Sequence, residues 1–308
     1  MRNLYFVLSI FALTALNVSI SFAQVDARPP YSGVDRRVKL YSTRQLNSPE
    51  YTICVMKSTH TEFIANTKFP RAKKVYFDGG AAIGVMKVLN READAFLFDS
   101  PTLDYVASYN KDMVVLPQTV GDGHISIAAP KRNEALIQQV NQFIEQYKSN
   151  GTYQAMYYRW FIKSGSVLPE IPKPAAPTRK VIVGTEGTQV PFNFMSAQGV
   201  PMQRGCLTGF DVELIQRMAL AYNWDVEWRM YTWDDLITVT KNGQIDLMIS
   251  ELENSPERQA VMALSIPYVD SQFAFLVRKE KVSPDLLKEV ELRRQRMSFG
   301  AEQQDATK

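Results

Sequence analysis

From Tyr51 onward the chain alternates short, β-rich apolar runs with longer stretches whose apolar residues recur at helical spacing. YTICVM, KKVYFD, DAFLFD, MVVL and HISIAA are interleaved with AAIGVMKVLNR and SPTLDYVASY. This alternation predicts an α/β sheet. Between residues 133 and 149, Leu136, Val140, Phe143, Ile144 and Tyr147 fall on one wide stripe, which predicts an amphipathic helix. A second helix is expected over 152–161. The same alternation resumes further on, with strand KVIVG, helix TGFDVELIQRMALAYN, strand DVEWRM, helix TWDDLITVTKNG, and strands IDLMIS and FAFLVRK. Thr208, three residues before Asp211, suits a helix start, and Phe210, Leu214, Met218 and Tyr222 mark the face that helix buries.

The breaks in this pattern divide the chain. Leu4 to Leu16 form an apolar run after Arg2, too short to span a bilayer, and Ser21-Phe22-Ala23 follows with small-x-small spacing. Residues 1–23 are therefore expected to be a signal peptide, cleaved near Ala23, with no membrane span after cleavage. Residues 24–50 are polar and rich in Arg, Ser and Pro, and read as a lead-in with little core. Residues 51–162 form the first α/β stretch. Residues 163–178 carry prolines at 169, 172, 174 and 177, which predicts a semi-rigid extended linker. Residues 179–279 form the second α/β stretch, and 280–308 a charged tail with one expected helix, SPDLLKEVELRRQ.

Composition narrows the chemistry. The chain is 45% hydrophobic and 11% aromatic, enough for a sizeable core, and its net charge of +3 is too small to suggest a nucleic-acid partner. Cys54 and Cys206 are the only cysteines; Cys54 lies in an apolar run and is expected to be a buried free thiol. There is no HExxH, CxxC, G-x-S-x-G or Walker A motif, and the only histidines are His60 and His124, so no catalytic residue, metal site or cofactor is expected.

In its second half the chain resembles the first lobe of family 3 extracellular solute-binding proteins, the polar-amino-acid receptors of ABC importers. The matching residues are VGTEGTQVPFNF, LTGFDVEL, the Trp of YTWDDLI, NGQIDLMIS, SPERQAV and SIPY. The first half resembles the other lobe through VMKSTHTE, ADAFLFDSPTLDY and NGTYQAMYYRWF. The resemblance implies a type II periplasmic-binding-protein-like α/β fold, two lobes closing on a ligand like a jaw. Here the lobes come in reverse order, as a circular permutation or as the remnant of a tandem pair. The helices at 133–161 favour one closed unit, because their apolar faces need the second sheet to cover.

The resemblance also implies site residues. Arg258 matches the guanidinium that grips a ligand carboxylate, with Ser255 in the same SPER motif, and a planar fork suits that anion. Asp99 matches the group that takes a ligand ammonium; beside it, Ser100 could equally cap a helix beginning at Pro101. Ser58 and Thr59 precede a helix start that favours an anion, while His60 reads as exposed. Phe192 could stack on a ligand side chain or lie in the core, and Trp233 reads as structural. Glu251 and Glu253 stand where the family has Gly, Ala or Ser, and Ser58 replaces a Gly, which places the usual ligand class in doubt. The expected function is a periplasmic binding protein for an amino acid or related small polar solute, with an ABC permease as partner. The alternatives are a degenerate sensor or interaction module, or a dehydratase-like enzyme using Glu251 or Glu253 as acid or base.

Overall fold

The computed structural model describes residues 39–163, 167–196 and 207–305, so the signal-like leader, most of the lead-in and Cys206 lie outside the described residues. The first half runs β1 (Thr52–Met56), α1 (His60–Lys68), β2 (Lys73–Phe77), α2 (Ala81–Leu89), β3 (Ala95–Asp99), α3 (Ser100–Tyr109), β4 (Met113–Val115), β5 (Gly121–Ile125), β6 (Ala128–Pro130), α4 (Glu134–Ser149) and α5 (Thr152–Tyr157), whose last turn continues as a π-turn to Ile162. The second half runs β7 (Arg179–Thr185), β8 (Thr188–Gln189), β9 (Asn193–Met195), β10 (Leu207–Thr208), α6 (Phe210–Tyr222), β11 (Trp224–Met230), α7 (Trp233–Asn242), β12 (Leu247–Met248), α8 (Pro256–Val261), β13 (Met262–Leu264), β14 (Val269–Arg278) and α9 (Pro284–Asp305). The part of the Pro-rich stretch that is described, 167–178, carries no strand or helix.

The two main sheets share one plan. The first has the order β2-β1-β3-β14-β4, and the second β11-β7-β12-β6-β13. In each, the other half of the chain inserts one strand at the fourth place of that order, and in the first sheet β5 also pairs with the inserted β14. β14 runs antiparallel to β3, with Phe275 opposite Leu97, and β6 antiparallel to β12, with Ala128 opposite Met248. The continuous run HISIAA is therefore two strands: β5 pairs with β14, and after Ser126 and Ile127 the chain passes to the second sheet as β6. Neither half completes its sheet alone.

The largely apolar β1 and β3 are buried along their whole length, as central strands covered on both faces must be. On the second sheet, α4 buries Leu136, Ile137, Val140, Phe143, Ile144 and Tyr147 against Val181, Val183 and Phe210. Removing one such side chain to Ala costs about 2–5 kcal/mol. α5 and its π-turn are fastened to α6 by Glu213, fully buried, which accepts from Arg159 Nη1 (2.6 Å), Arg217 Nη2 (2.7 Å) and Trp160 Nε1 (2.7 Å).

Two local expectations change. α6 is capped by Gly209, not Thr208: its φ is +125°, and a Cβ there would overlap the Phe192 carbonyl. Asp211 instead accepts from Tyr268 Oη and Asn193 Nδ2, both at 2.8 Å. The described end of the lead-in contributes core: Leu40 and Leu46 are buried with Leu286 and Val290 of the charged tail, and Leu40 N–H donates to the Lys281 carbonyl at 2.7 Å. Apolar residues spaced so widely in a polar stretch leave no periodic signature. Cys54 is a buried free thiol, and burial pushes it up to about 12.

Candidate functional site

The strand ends of the two sheets face each other across a small cavity. Met56 ends β1 and Thr59 follows it, Phe98 and Asp99 end β3, Ser250, Glu251 and Glu253 follow β12, and Trp233 and Arg258 come from α7 and α8. Crevices outside the carboxyl ends of strands are where open α/β sheets bind ligands, because loops there diverge to opposite faces. The free space is about 30 Å³, room for a water or two and an order of magnitude below a small-molecule pocket. The halves touch directly across it: Thr102 Oγ1 donates to Glu251 Oε1 (2.8 Å), and Trp233 Nε1 to the Ser58 carbonyl (3.2 Å).

Three carboxyl groups converge here, each nine-tenths or more buried. Asp99 takes Ser271 Oγ at 2.6 Å, from the strand that passes between the sheets. Burial lifts it to about 6, against the pull of Ser271 and Arg258. Glu253 receives the His124 backbone N–H on both oxygens (3.0 and 2.9 Å), and burial lifts it to about 7. Glu251 sits at φ +53°, a conformation costing a non-glycine residue roughly 1–2 kcal/mol. Its Oε2 has no hydrogen-bond partner, and burial together with Asp99 drives its carboxyl well above the usual range.

Arg258 does not neutralise them by ion pairing. Its Nη1 donates to the Glu253 main-chain carbonyl at 2.9 Å, and its guanidinium lies 5.2 Å from the Trp233 ring. Among the described residues no carboxylate oxygen lies within salt-bridge distance of Arg258. Burial lowers its pKa to about 10, still charged at neutral pH, with Glu253 and Asp99 supporting the charge from further off.

Of the residues singled out in the sequence, Arg258, Asp99, Thr59, Glu251 and Glu253 come together at the cavity, and Ser58, Ser255 and Phe192 do not line it. Phe192 is fully buried against Phe161, centroids 5.0 Å apart, so its ring is core. Ser255 caps α8 by accepting from the Arg258 N–H at 3.4 Å. Ser58 holds φ +59°, the left-handed turn for which Gly is better suited, and contributes only its carbonyl to the rim. Ser100 does not cap α3; it is the first helical residue, and Asp99 is the N-cap without a side-chain bond to the helix.

His60 is not simply exposed. It lines the cavity, its ring 5.3 Å from Phe273, and burial followed by Arg258 lowers its pKa. Trp233 also lines the cavity, besides packing in the core. The sequence reading missed Gln189, Thr61, Ser250 and Phe273. Gln189 and Thr61 stand inside the quoted motifs VGTEGTQVPFNF and VMKSTHTE, a signal of place though not of role; Phe273 sits in an apolar strand and leaves none.

Residues 181–302 match the profile of the bacterial extracellular solute-binding proteins, family 3. Relatives include a probable amino-acid ABC transporter-binding protein of Haemophilus influenzae, 31% identical over 114 residues, which are 37% of this chain and 40% of that protein. The L-cystine-binding protein TcyJ of Escherichia coli K12 is 32% identical over 99 residues, 32% of this chain and 35% of that one. The chain thus spans less than half the length of the curated relatives it matches. The unliganded, open L-cystine solute receptor of Neisseria gonorrhoeae is 36% identical over 27% of this chain and 33% of that chain, with a TM-score of 0.24. Among the described residues no helix is long and apolar enough to cross a membrane.

Proposed function

We propose, from the premise that residues 181–302 belong to the family 3 extracellular solute-binding proteins, that this protein binds a small polar solute in the periplasm and delivers it to an ABC importer without transforming it. The observation that carries the reading is the convergence of Asp99, Glu251, Glu253 and Arg258 on one cavity between two sheets. Each sheet holds a strand of the other half, so the two passages of chain, 121–130 and 262–278, can act as a hinge. Hinged closure buries a solute that an open cleft admits. With about 30 Å³ between the side chains, binding requires the cleft to open first.

The relatives' names point to amino acids as the solute class, and to transport rather than turnover. Equilibrium titration of the mature chain against a panel of amino acids and amines, with mass-spectrometric analysis of the solutes recovered, tests both points. Saturable binding with solutes recovered unchanged is the expected result. Chemical conversion of a panel member would replace this function with an enzyme's. The Thr102–Glu251 bond, which crosses the cleft inside so small a space, favours a second reading, a module that closes on itself and no longer takes solute. Silence across the whole panel would decide for that module.

A further inference from the structure

The cleft holds more acceptor capacity than its own donors can fill. Three carboxyl groups face it, and among the described residues their oxygens take the Ser271 hydroxyl, the Thr102 hydroxyl, the single His124 N–H and a backbone N–H at Asp99. Each ionised carboxylate accepts at about four positions. Glu251 Oε2 is left with none, in a residue only 8% exposed, at the wall of the cavity. A buried acceptor without a donor costs about 1–3 kcal/mol, so a ligand bringing an N–H there is favoured over one that does not.

Among the described residues Arg258 is the one guanidinium lining the cleft, and it is engaged elsewhere. Arg258 is held by the carbonyl of Glu253 and by the Trp233 ring. A ligand carboxylate docking on its free edge would approach the Glu253 side chain of the same turn, and like charges a few ångströms apart repel strongly where water is excluded. Phe98, Phe273 and Trp233 add aromatic faces to the lining, which suit a cation better than an anion.

Resting on the solute-binding function proposed above, we infer that the solute is a small organic cation lacking a carboxylate, seated with its ammonium or guanidinium N–H groups on Asp99, Glu251 and Glu253. Without such a cation the carboxyl groups hold protons, as their burial favours; a bound cation displaces them. Affinity therefore rises as pH rises from 5 to 8, and binding releases protons to buffer.

The test is calorimetry on the full mature chain with matched pairs that differ by the carboxylate: agmatine and arginine, putrescine and ornithine, histamine and histidine. At least one amine is expected to bind tenfold or more tightly than its amino-acid partner. Its affinity should rise about tenfold between pH 5 and 8, with a heat that depends on the buffer's ionisation enthalpy. Glu251→Gln, a neutral near-isostere, should lose about tenfold for that amine while keeping the wild-type circular dichroism spectrum. Amino acids binding more tightly than their amines would overturn the inference and leave solute binding standing. So would an unchanged amine affinity in the folded variant. No binding by any member would overturn both.

Discussion

Glu213 and Glu251 are both buried beyond nine-tenths, and their surroundings could hardly differ more. Glu213, in the second half, is wrapped by two guanidiniums and an indole, two of them carried by the terminal helix of the first half. Glu251 has one hydroxyl, an empty second oxygen and another carboxyl group as its strongest neighbour. A buried charge with its partners in place fastens elements together, and removing one partner exposes the cost of the other. A buried carboxyl without partners adds nothing to the fold, so its presence points to something that arrives from outside.

The joint at Glu213 matters because the halves are interlocked, and the largest effect comes from parting them. Cut near Pro172, the first piece loses β14 from between β3 and β4, and the second loses β6 from between β12 and β13. Neither piece is expected to melt cooperatively alone, whereas an equimolar mixture should regain part of the intact protein's transition. Two separate cooperative melts with midpoints like the intact chain's would mean the exchanged strands and the Glu213 joint are dispensable.

Next in size is the direct contrast of the two glutamates. Glu213→Ala removes the buried acceptor shared by Arg159, Arg217 and the Trp160 indole, and should cost about 3–5 kcal/mol in urea unfolding. Glu251→Gln keeps the Thr102 contact and replaces a carboxyl that burial keeps protonated with a neutral near-isostere, so it should lie within about 1 kcal/mol of the wild type, on either side. Equal and large losses at both positions would erase the distinction between joint and site.

A pH series sharpens it. Asp99 near 6 and Glu253 near 7 both sit above their unfolded values, so the folded state holds protons that the unfolded chain releases. Stability is fully present below the unfolded values and falls as pH rises through the folded ones, between about 4 and 7. A carboxyl lifted this far contributes on the order of 2 kcal/mol over that window. Glu253 faces Asp99, which adds to the lift, and the His124 N–H, the His124 ring and Arg258, which oppose it without cancelling the effect of burial. Thermal midpoints at pH 5 should exceed those at pH 8, with a gentler slope in Glu251→Gln. Midpoints that rise with pH would show the cleft carboxyls to be compensated after all.

Much of this arrangement is written in local pattern. The α4 stripe and the apolar runs of β1 and β3 lead from the sequence to the sheets, whereas Arg258, Asp99, Glu251 and Glu253 are reached through the resemblance to family 3 solute-binding proteins, by match or by departure. What pattern cannot carry is exchange between distant segments. HISIAA looks like one strand because alternation does not record a change of sheet, and Leu40 joins the tail's core without a periodic neighbour. Phe192 failed for a related reason: an aromatic after a strand end faces the cleft or the core according to the turn, and here Gly209 packs against its carbonyl and holds its ring inward. Gln189 and Phe273 reach the cavity only through tertiary placement.

The smallest expected effect isolates the last contact of the comparison. Thr102→Val deletes the hydroxyl that reaches Glu251 Oε1 and leaves the shape of α3 nearly unchanged. In a cleft that cannot move, Glu251 would then have no donor on either oxygen, at a cost of about 1–3 kcal/mol. A hinged cleft has another course: it can open and let water reach the carboxyl, so the cost is capped by the free energy of opening. The expected outcome is a loss of at most about 1 kcal/mol in urea unfolding, with a larger radius of gyration by small-angle X-ray scattering. A loss of 2–3 kcal/mol at unchanged dimensions would mean that the halves are locked. Thr102–Glu251 would then be a joint of the same kind as Glu213, however differently the two glutamates are surrounded.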